Sequence, residues 1–138
     1  MGRWGVVLVC GAFASLVVAA AANEKPSAEY VAAMKTLGTV AQGLGKAVET
    51  FDFETIEKYV VAARPALATV QKFWEAKKVE DAVQLAQDAS ASVAELSVSA
   101  TVRSDEGAAV AAKGLLEACA KCHVAHREKL PDGNFMIK

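Results

Sequence analysis

Five consecutive residues near the C-terminus, Cys119-Ala120-Lys121-Cys122-His123, carry the clearest chemistry in the chain. Two cysteines in this spacing, followed at once by a histidine, form the pattern through which c-type haem is attached. On a helix, Cys119 and Cys122 share one face, and His123 projects close to it. The two thiols can then add to the vinyl groups of a porphyrin while the imidazole reaches the iron. The motif predicts one covalent haem c, with His123 as the proximal iron ligand.

Other uses of these residues are less well supported by the sequence. A disulfide between Cys119 and Cys122 is disfavoured, because cysteines one helical turn apart rarely meet disulfide geometry. A thioredoxin-type redox pair belongs in a βαβ pattern, which the sequence does not show. A zinc site made with His123 and His126 would place four ligands on two turns of one helix, where they cannot surround a tetrahedral ion unaided.

The N-terminus has the pattern of a secretory signal peptide. Arg3 precedes an apolar stretch over 6–18, and the alanines at 19–22 form a small-residue cleavage site before Asn23. The alternative is an uncleaved anchor, since the apolar run over 4–22 is about long enough to span a bilayer. Cleavage is favoured by the alanine-rich end of the run. We therefore predict a signal peptide at 1–22 and a mature protein of residues 23–138 in the bacterial periplasm.

Charge and cysteine content of residues 23–138 limit the partners of the mature protein. Cleavage removes one of the 15 basic side chains and none of the 16 acidic ones. This near-neutral balance argues against nucleic acid or an anionic membrane as a partner, and no stable membrane insertion is expected after cleavage. Cleavage also removes Cys10, so both remaining cysteines belong to the haem motif.

Apolar residues of the mature chain recur with helical spacing in four successive segments, and no alternating strand pattern competes. Ser27 and Asp52 are candidate N-caps of the first two segments, the fourth begins at about Ser104, and Pro65 should kink or split the second. We predict an all-α, antiparallel up-and-down four-helix bundle. The predicted core stripes are Tyr30, Met34, Leu37, Ala41, Leu44 and Val48; Ile56, Val60, Ala63, Leu67, Val70 and Trp74; Ala82, Ala86, Ala89, Val93, Leu96 and Ala100; and Ala108, Ala111, Leu115, Ala118, Cys122 and Ala125.

With these features the whole mature chain resembles the class II c-type cytochromes, meaning cytochrome c′ and its low-spin, methionine-ligated relatives. The haem motif lies in the last helix and is followed by His126-Arg127. Met34 lies early in the first helix, within the segment 34–38, and Phe73-Trp74 closes the second segment. The resemblance implies a four-helix bundle around one covalent haem.

The resemblance also implies that the sixth iron position faces the first helix, where Met34 is the candidate distal ligand. A thioether opposite an imidazole stabilises ferrous iron and raises the reduction potential. The alternative is that Met34 only fills the core, as methionine often does. Met136 in the C-terminal tail is a weaker candidate. Tyr30 stands where relatives often have an arginine near a haem propionate, so it either bonds a propionate or belongs to the core.

Further polar residues near the motif have both functional and ordinary interpretations. His126 is expected to pack beside the haem or to be partly exposed. Arg127 either contacts a propionate or the proximal side of the haem, or is solvated. Lys113, Lys121 and Lys129 form either a docking rim for an acidic redox partner or, as the sequence favours, an ordinary solvated face.

The function expected from the sequence is single-electron transfer in the periplasm, with an unidentified protein as redox partner. The alternative is a five-coordinate haem, like that of cytochrome c′, that binds NO or CO. A third possibility is a helical structural or metal-binding module without haem. The residues suggest no enzyme, because no nucleophile–base arrangement accompanies the motif. Relatives include homodimers, which the alanine-rich helix faces would permit.

Overall fold

The computed structural model describes residues 23–138, and the predicted signal peptide lies outside them. Four long helices account for most of this part of the chain, and two short strands follow the last helix. The elements are α1 (Ala28–Glu49), α2 (Phe53–Lys77), α3 (Glu80–Thr101), α4 (Asp105–His126), β1 (Arg127–Lys129) and β2 (Phe135–Ile137).

Three of the helices begin at a side chain that caps the free backbone N–H groups of the first turn. Ser27, Asp52 and Ser104 each accept a hydrogen bond from the backbone N–H three residues later, at 3.0–3.2 Å. Helix α3 has no such cap, but Glu80 and Asp81 place negative charge in its first turn, where the helix dipole favours it. The helix starts predicted at Ser27, Asp52 and Ser104 are confirmed.

The connections between the helices are two or three residues long, so each helix runs back alongside the one before it. Each connection turns through one residue in the left-handed region, namely Phe51, Lys78 and Arg103, with φ of 55°, 58° and 53°. None of these connections contains glycine, the residue that adopts this conformation without strain. The tight turns are therefore held by the packing of the helices and not by local preference.

Pro65 lies inside α2, and the helix runs through it without a break. Proline cannot donate the hydrogen bond that the Val61 carbonyl would otherwise accept. Val61 is 70% exposed and Pro65 is exposed, so water can satisfy that carbonyl. Of the two outcomes predicted for Pro65, a kink or a split, the split does not occur.

Helices α2 and α3 bury every residue of their predicted stripes, and α4 buries all but Ala125, which is exposed near its end. In α1 the buried row lies one residue earlier than predicted at three places, with Ala33, Val40 and Ala47 buried. The reason is that α1 packs closely against α2 and touches α4 only sparsely. Met34 and Ala41 therefore face the seam between α1 and α4.

The C-terminal residues form a hairpin that the sequence did not predict. Strands β1 and β2 are antiparallel, and the backbone of Ile137 exchanges hydrogen bonds of 2.8 and 2.9 Å with Glu24. Ile137 is buried, and Lys77 forms an ion pair with Glu24. The tail thus ties the residues before α1 to the ends of α2 and α4. Strands of three residues are too short to show a periodic pattern.

No helix within residues 23–138 is both long enough and apolar enough to cross a membrane.

Candidate functional site

A cavity of roughly 850 Å³ opens in the seam between α1 and α4, and we call it the α1–α4 cavity. All four helices and the C-terminal hairpin contribute to its walls. Its volume is in the range of about 300–1,000 Å³ typical of pockets for small molecules and cofactors. The lining that bears on chemistry consists of Tyr30, Met34, Gly38, Trp74, Cys119, Cys122, His123, His126, Arg127 and Met136.

Both cysteines of the motif line this cavity as free thiols. Burial raises the pKa of Cys119, and burial together with the charges of Cys119 and Asp81 raises the pKa of Cys122 to about 11. The thiols are therefore protonated at neutral pH. A redox-active pair needs a thiolate with a lowered pKa, so these surroundings are unlike those of a thioredoxin-type site.

His123 is half-buried at the wall of the cavity, one residue after Cys122. Burial, with a smaller contribution from the Arg127 charge, lowers the pKa of His123. The imidazole is consequently neutral at pH 7, which is the form that binds metal ions. The structure thus brings Cys119, Cys122 and His123 to one cavity.

Met34 reaches the same cavity from the opposite helix, α1. It is half-buried, and Gly38, one turn later, leaves open space beside it, with nothing within 4 Å of where a Cβ would lie. Met136 on strand β2 also lines the cavity. Two thioethers therefore face the space next to His123, one from α1 and one from the hairpin.

An aromatic cluster borders the cavity where α1, α2 and α4 meet. The ring of Tyr30 lies 4.2 Å from that of Phe73, and Trp74 makes edge contacts with both, at 6.1 and 5.0 Å between centroids. Tyr30 is 6% exposed, and burial is the main cause of its raised pKa. The interpretation of Tyr30 as a core residue is confirmed, although part of it also lines the cavity.

The Trp74 indole Nε1 is buried without a hydrogen-bond partner among the described residues. Buried polar groups are normally paired, so an unpaired N–H beside a cavity marks a place where a bound molecule or water can supply an acceptor. Trp74 is 1% exposed and lies in the cavity wall. The sequence placed Trp74 correctly in the core but gave no sign of this orphaned donor.

His126 links α4 to α3, a contact that sequence reasoning missed. Its ring packs 4.9 Å from Trp74, and its Nε2 lies 2.8 Å from Oδ2 of Asp81. The side chain is 13% exposed. His126 lines the α1–α4 cavity, and its expected place beside a haem stays a prediction. Asp81 is 45 residues away in the chain, so only the fold could bring the two together.

The remaining basic residues near the motif separate into two groups. Arg127 lines the cavity and stacks on Phe135, with its guanidinium carbon 4.3 Å from the ring centroid. Lys113, Lys121 and Lys129 are exposed and do not line the cavity. Exposure is common to a solvated face and to a docking rim, and Lys113 lies 3.8 Å from Glu117 one turn away.

Comparisons with protein-family models, with curated proteins and with solved structures give no match to this chain. Within residues 23–138, no group of three or more histidine, cysteine or acidic side chains lies close enough to hold a metal ion by itself. The potential ligands facing the α1–α4 cavity instead come from separate elements: the motif on α4, Met34 on α1 and Met136 on β2.

Proposed function

We propose that the protein is a periplasmic carrier of single electrons that uses one covalent haem c in the α1–α4 cavity. Cys119 and Cys122 would form the two thioether bonds, His123 would be the proximal iron ligand and Met34 the distal one. The bound haem would supply an iron that alternates between the ferric and ferrous states. The observation that carries the proposal is that a cavity of cofactor size opens against all three motif residues.

The surroundings of the two cysteines fit thioether formation better than the alternatives. Both are free and face an apolar space, and neither is paired in a disulfide. Their raised pKa values leave them uncharged in a buried site, so no desolvated thiolate has to be compensated. Once both sulfurs are bonded to a porphyrin, that uncharged state is permanent.

The candidate axial ligands are supplied by two helices that the fold holds apart. His123 is neutral and half-buried on α4, and Met34 is half-buried on α1 across the sparse seam. Met34 packs against the core and also lines the cavity, next to the open space at Gly38. Imidazole and thioether ligands together favour ferrous iron and a raised potential.

The chain's own residues would also limit solvent access to the site. Tyr30, Phe73 and Trp74 close one side with a packed aromatic cluster. The hairpin covers another side and is held by Ile137 and Glu24. Burial in such an environment is one of the means by which a protein sets the potential of a haem. Two fixed axial ligands would keep the structural change between oxidation states small, which suits electron transfer.

Spectroscopy of the exported protein tests the proposal. A pyridine haemochrome spectrum of the c type is expected, together with low-spin ferric and ferrous visible spectra. Met34→Ala should convert the spectrum to high spin, whereas Met136→Ala, the matched change of the other cavity methionine, should leave it low-spin. Absence of a c-type spectrum would refute the haem. A low-spin Met34→Ala protein would refute the distal assignment.

Carbon monoxide binding separates the proposal from its main alternative. The unmodified ferrous protein should bind carbon monoxide slowly, because Met34 would have to be displaced first. Rapid binding by the unmodified protein, with a high-spin spectrum, would contradict electron transfer and support a five-coordinate haem that binds NO or CO. If Met136→Ala becomes high-spin and Met34→Ala does not, the distal ligand is Met136 on the hairpin.

A further inference from the structure

The α1–α4 cavity is apolar inside, but four formally charged side chains line it, and we call them the charged rim. The charged rim consists of Lys25, Lys35, Arg127 and Asp132. All four are exposed, and among the described residues none of them forms a salt bridge. Three positive charges and one negative charge therefore line an apolar cavity without ion-pair partners, while Asp132 accepts hydrogen bonds from the backbone and side-chain amides of Asn134.

The charged rim is assembled from three separate parts of the chain. Lys25 follows Glu24, whose backbone is bonded to Ile137 of the hairpin. Lys35 lies on α1 directly after Met34, and Arg127 begins β1 at the end of α4. Stacking on Phe135 holds the Arg127 guanidinium 4.3 Å from the ring, a favourable cation–π contact. The fold thus gathers these charges, and the hairpin positions one of them.

An apolar cavity with an excess of positive charge along its edge suits one class of ligand: a flat apolar molecule that carries carboxylates on one side. The apolar body of the ligand would replace water in the cavity. Its carboxylates would stay at the surface, because removing a charged group from water costs free energy. Lysine and arginine bind carboxylates through charge-assisted hydrogen bonds, and one arginine can form two such bonds to the same carboxylate. Asp132 would repel such a ligand, so it restricts where the carboxylates lie.

We propose that Lys35, Arg127 and Lys25 bind the two propionates of the haem, and that Asp132 directs them away from the turn of the hairpin. This inference rests on the proposed function, since it needs a haem in the α1–α4 cavity. It assigns to the hairpin a direct part in the site, because Phe135 positions Arg127.

The midpoint potential of the haem protein as a function of pH tests the assignment. Reduction removes one positive charge from the iron, so the propionate pKa differs between the two oxidation states and the potential changes with pH around it. The other ionisable side chains that line the cavity are Tyr30, Cys119, Cys122, His123 and His126, of which the two cysteines would be thioethers and His123 an iron ligand in the haem protein. None of these is altered in the variants below, so their contribution is common to all.

Removing a rim cation should raise the propionate pKa. Lys35→Gln and Arg127→Gln should each move the inflection to higher pH by about half a unit, as expected for the loss of one exposed ion pair. Asp132→Asn should move it to lower pH. Arg127→Lys should restore the unmodified value. Lys46→Gln, with the same charge change in the last turn of α1 and outside the cavity, should have no effect.

The results separate the inference from the function on which it rests. A protein with a c-type spectrum whose inflection moves no more in the rim variants than in Lys46→Gln would refute the rim and leave the haem site intact. A shift of the same sign in Asp132→Asn and Arg127→Gln would also refute it, because opposite charges must act in opposite directions. A chain without a c-type spectrum would refute both.

Discussion

Two glycines of α1 offer a direct test of where the proposed haem lies. Gly38 and Gly45 are both inside the helix, and a Cβ added at either would have nothing within 4 Å. Replacing a glycine by alanine inside a helix normally stabilises a protein by about 0.5–1 kcal/mol, because the unfolded chain loses freedom. The two positions differ in one respect: Gly38 lines the α1–α4 cavity and Gly45 does not.

If the α1–α4 cavity holds the proposed haem, a methyl group should have different effects at the two positions. Gly45→Ala should gain the full 0.5–1 kcal/mol, about 2–4 °C in melting temperature for a domain of this size. Gly38→Ala places its methyl group in the space that a haem would fill, next to Met34. Overpacking of this kind costs about 1–3 kcal/mol, which exceeds the gain. Gly38→Ala should accordingly lower the melting temperature and alter the visible spectrum.

Thermal denaturation followed by circular dichroism, with a visible spectrum of each sample, measures both effects. Gly45→Ala serves as the control for helix propensity, since it is the same substitution in the same helix. If Gly38→Ala raises the melting temperature as much as Gly45→Ala and leaves the spectrum unchanged, the haem does not lie against this part of α1. The assignment of Met34, one turn earlier, would then be refuted as well.

Two further predictions concern stability. Cys119→Ser/Cys122→Ser should prevent haem attachment and leave the cavity to water. The free energy of unfolding should then fall by an amount on the order of 3–5 kcal/mol, the cost of removing one large core side chain. Similar melting temperatures with and without haem would contradict this. Hydrogen bonds from Thr55 lower the pKa of Asp52, so its stabilisation is present above the usual carboxyl pKa and is lost as the pH falls through the lowered value. Asp52→Asn keeps the capping oxygen without a charge and serves as the control. The melting temperature of the unmodified protein should fall more than that of Asp52→Asn between pH 7 and pH 3. An equal fall in both proteins would show that protonation of Asp52 does not weaken the cap.

Local sequence signals predicted most of the helical framework. Ser27, Asp52 and Ser104 each offer an oxygen to the free N–H groups of the next turn, and each begins a helix. Every position that the apolar spacing assigned to the core of α2 and α3 is buried, because those helices pack on both neighbours. These features depend on residues within one or two turns of each other, so they can be read along the chain.

The prediction was wrong where a long-range contact decides the outcome. In α1 the buried row was misplaced at Met34, Ala41 and Val48, because the apolar spacing alone cannot show that α1 packs on α2 and leaves the seam with α4 open. Pro65 is a local case: of the predicted kink or split, the split does not occur, because Val61 and Pro65 are exposed and water can bond the Val61 carbonyl. The hairpin was missed because Ile137 is fixed by Glu24, at the other end of the described chain.

The sequence by itself determined which chemistry the chain can offer: two thiols and an imidazole in the spacing of haem attachment, on a helix whose start and face are locally encoded. Only the tertiary structure decided what surrounds them. The open seam between α1 and α4 brings Met34 to the same cavity, and the hairpin adds Met136 and Arg127. These placements depend on packing between segments distant in the chain, and no local spacing specifies where four helices leave a space.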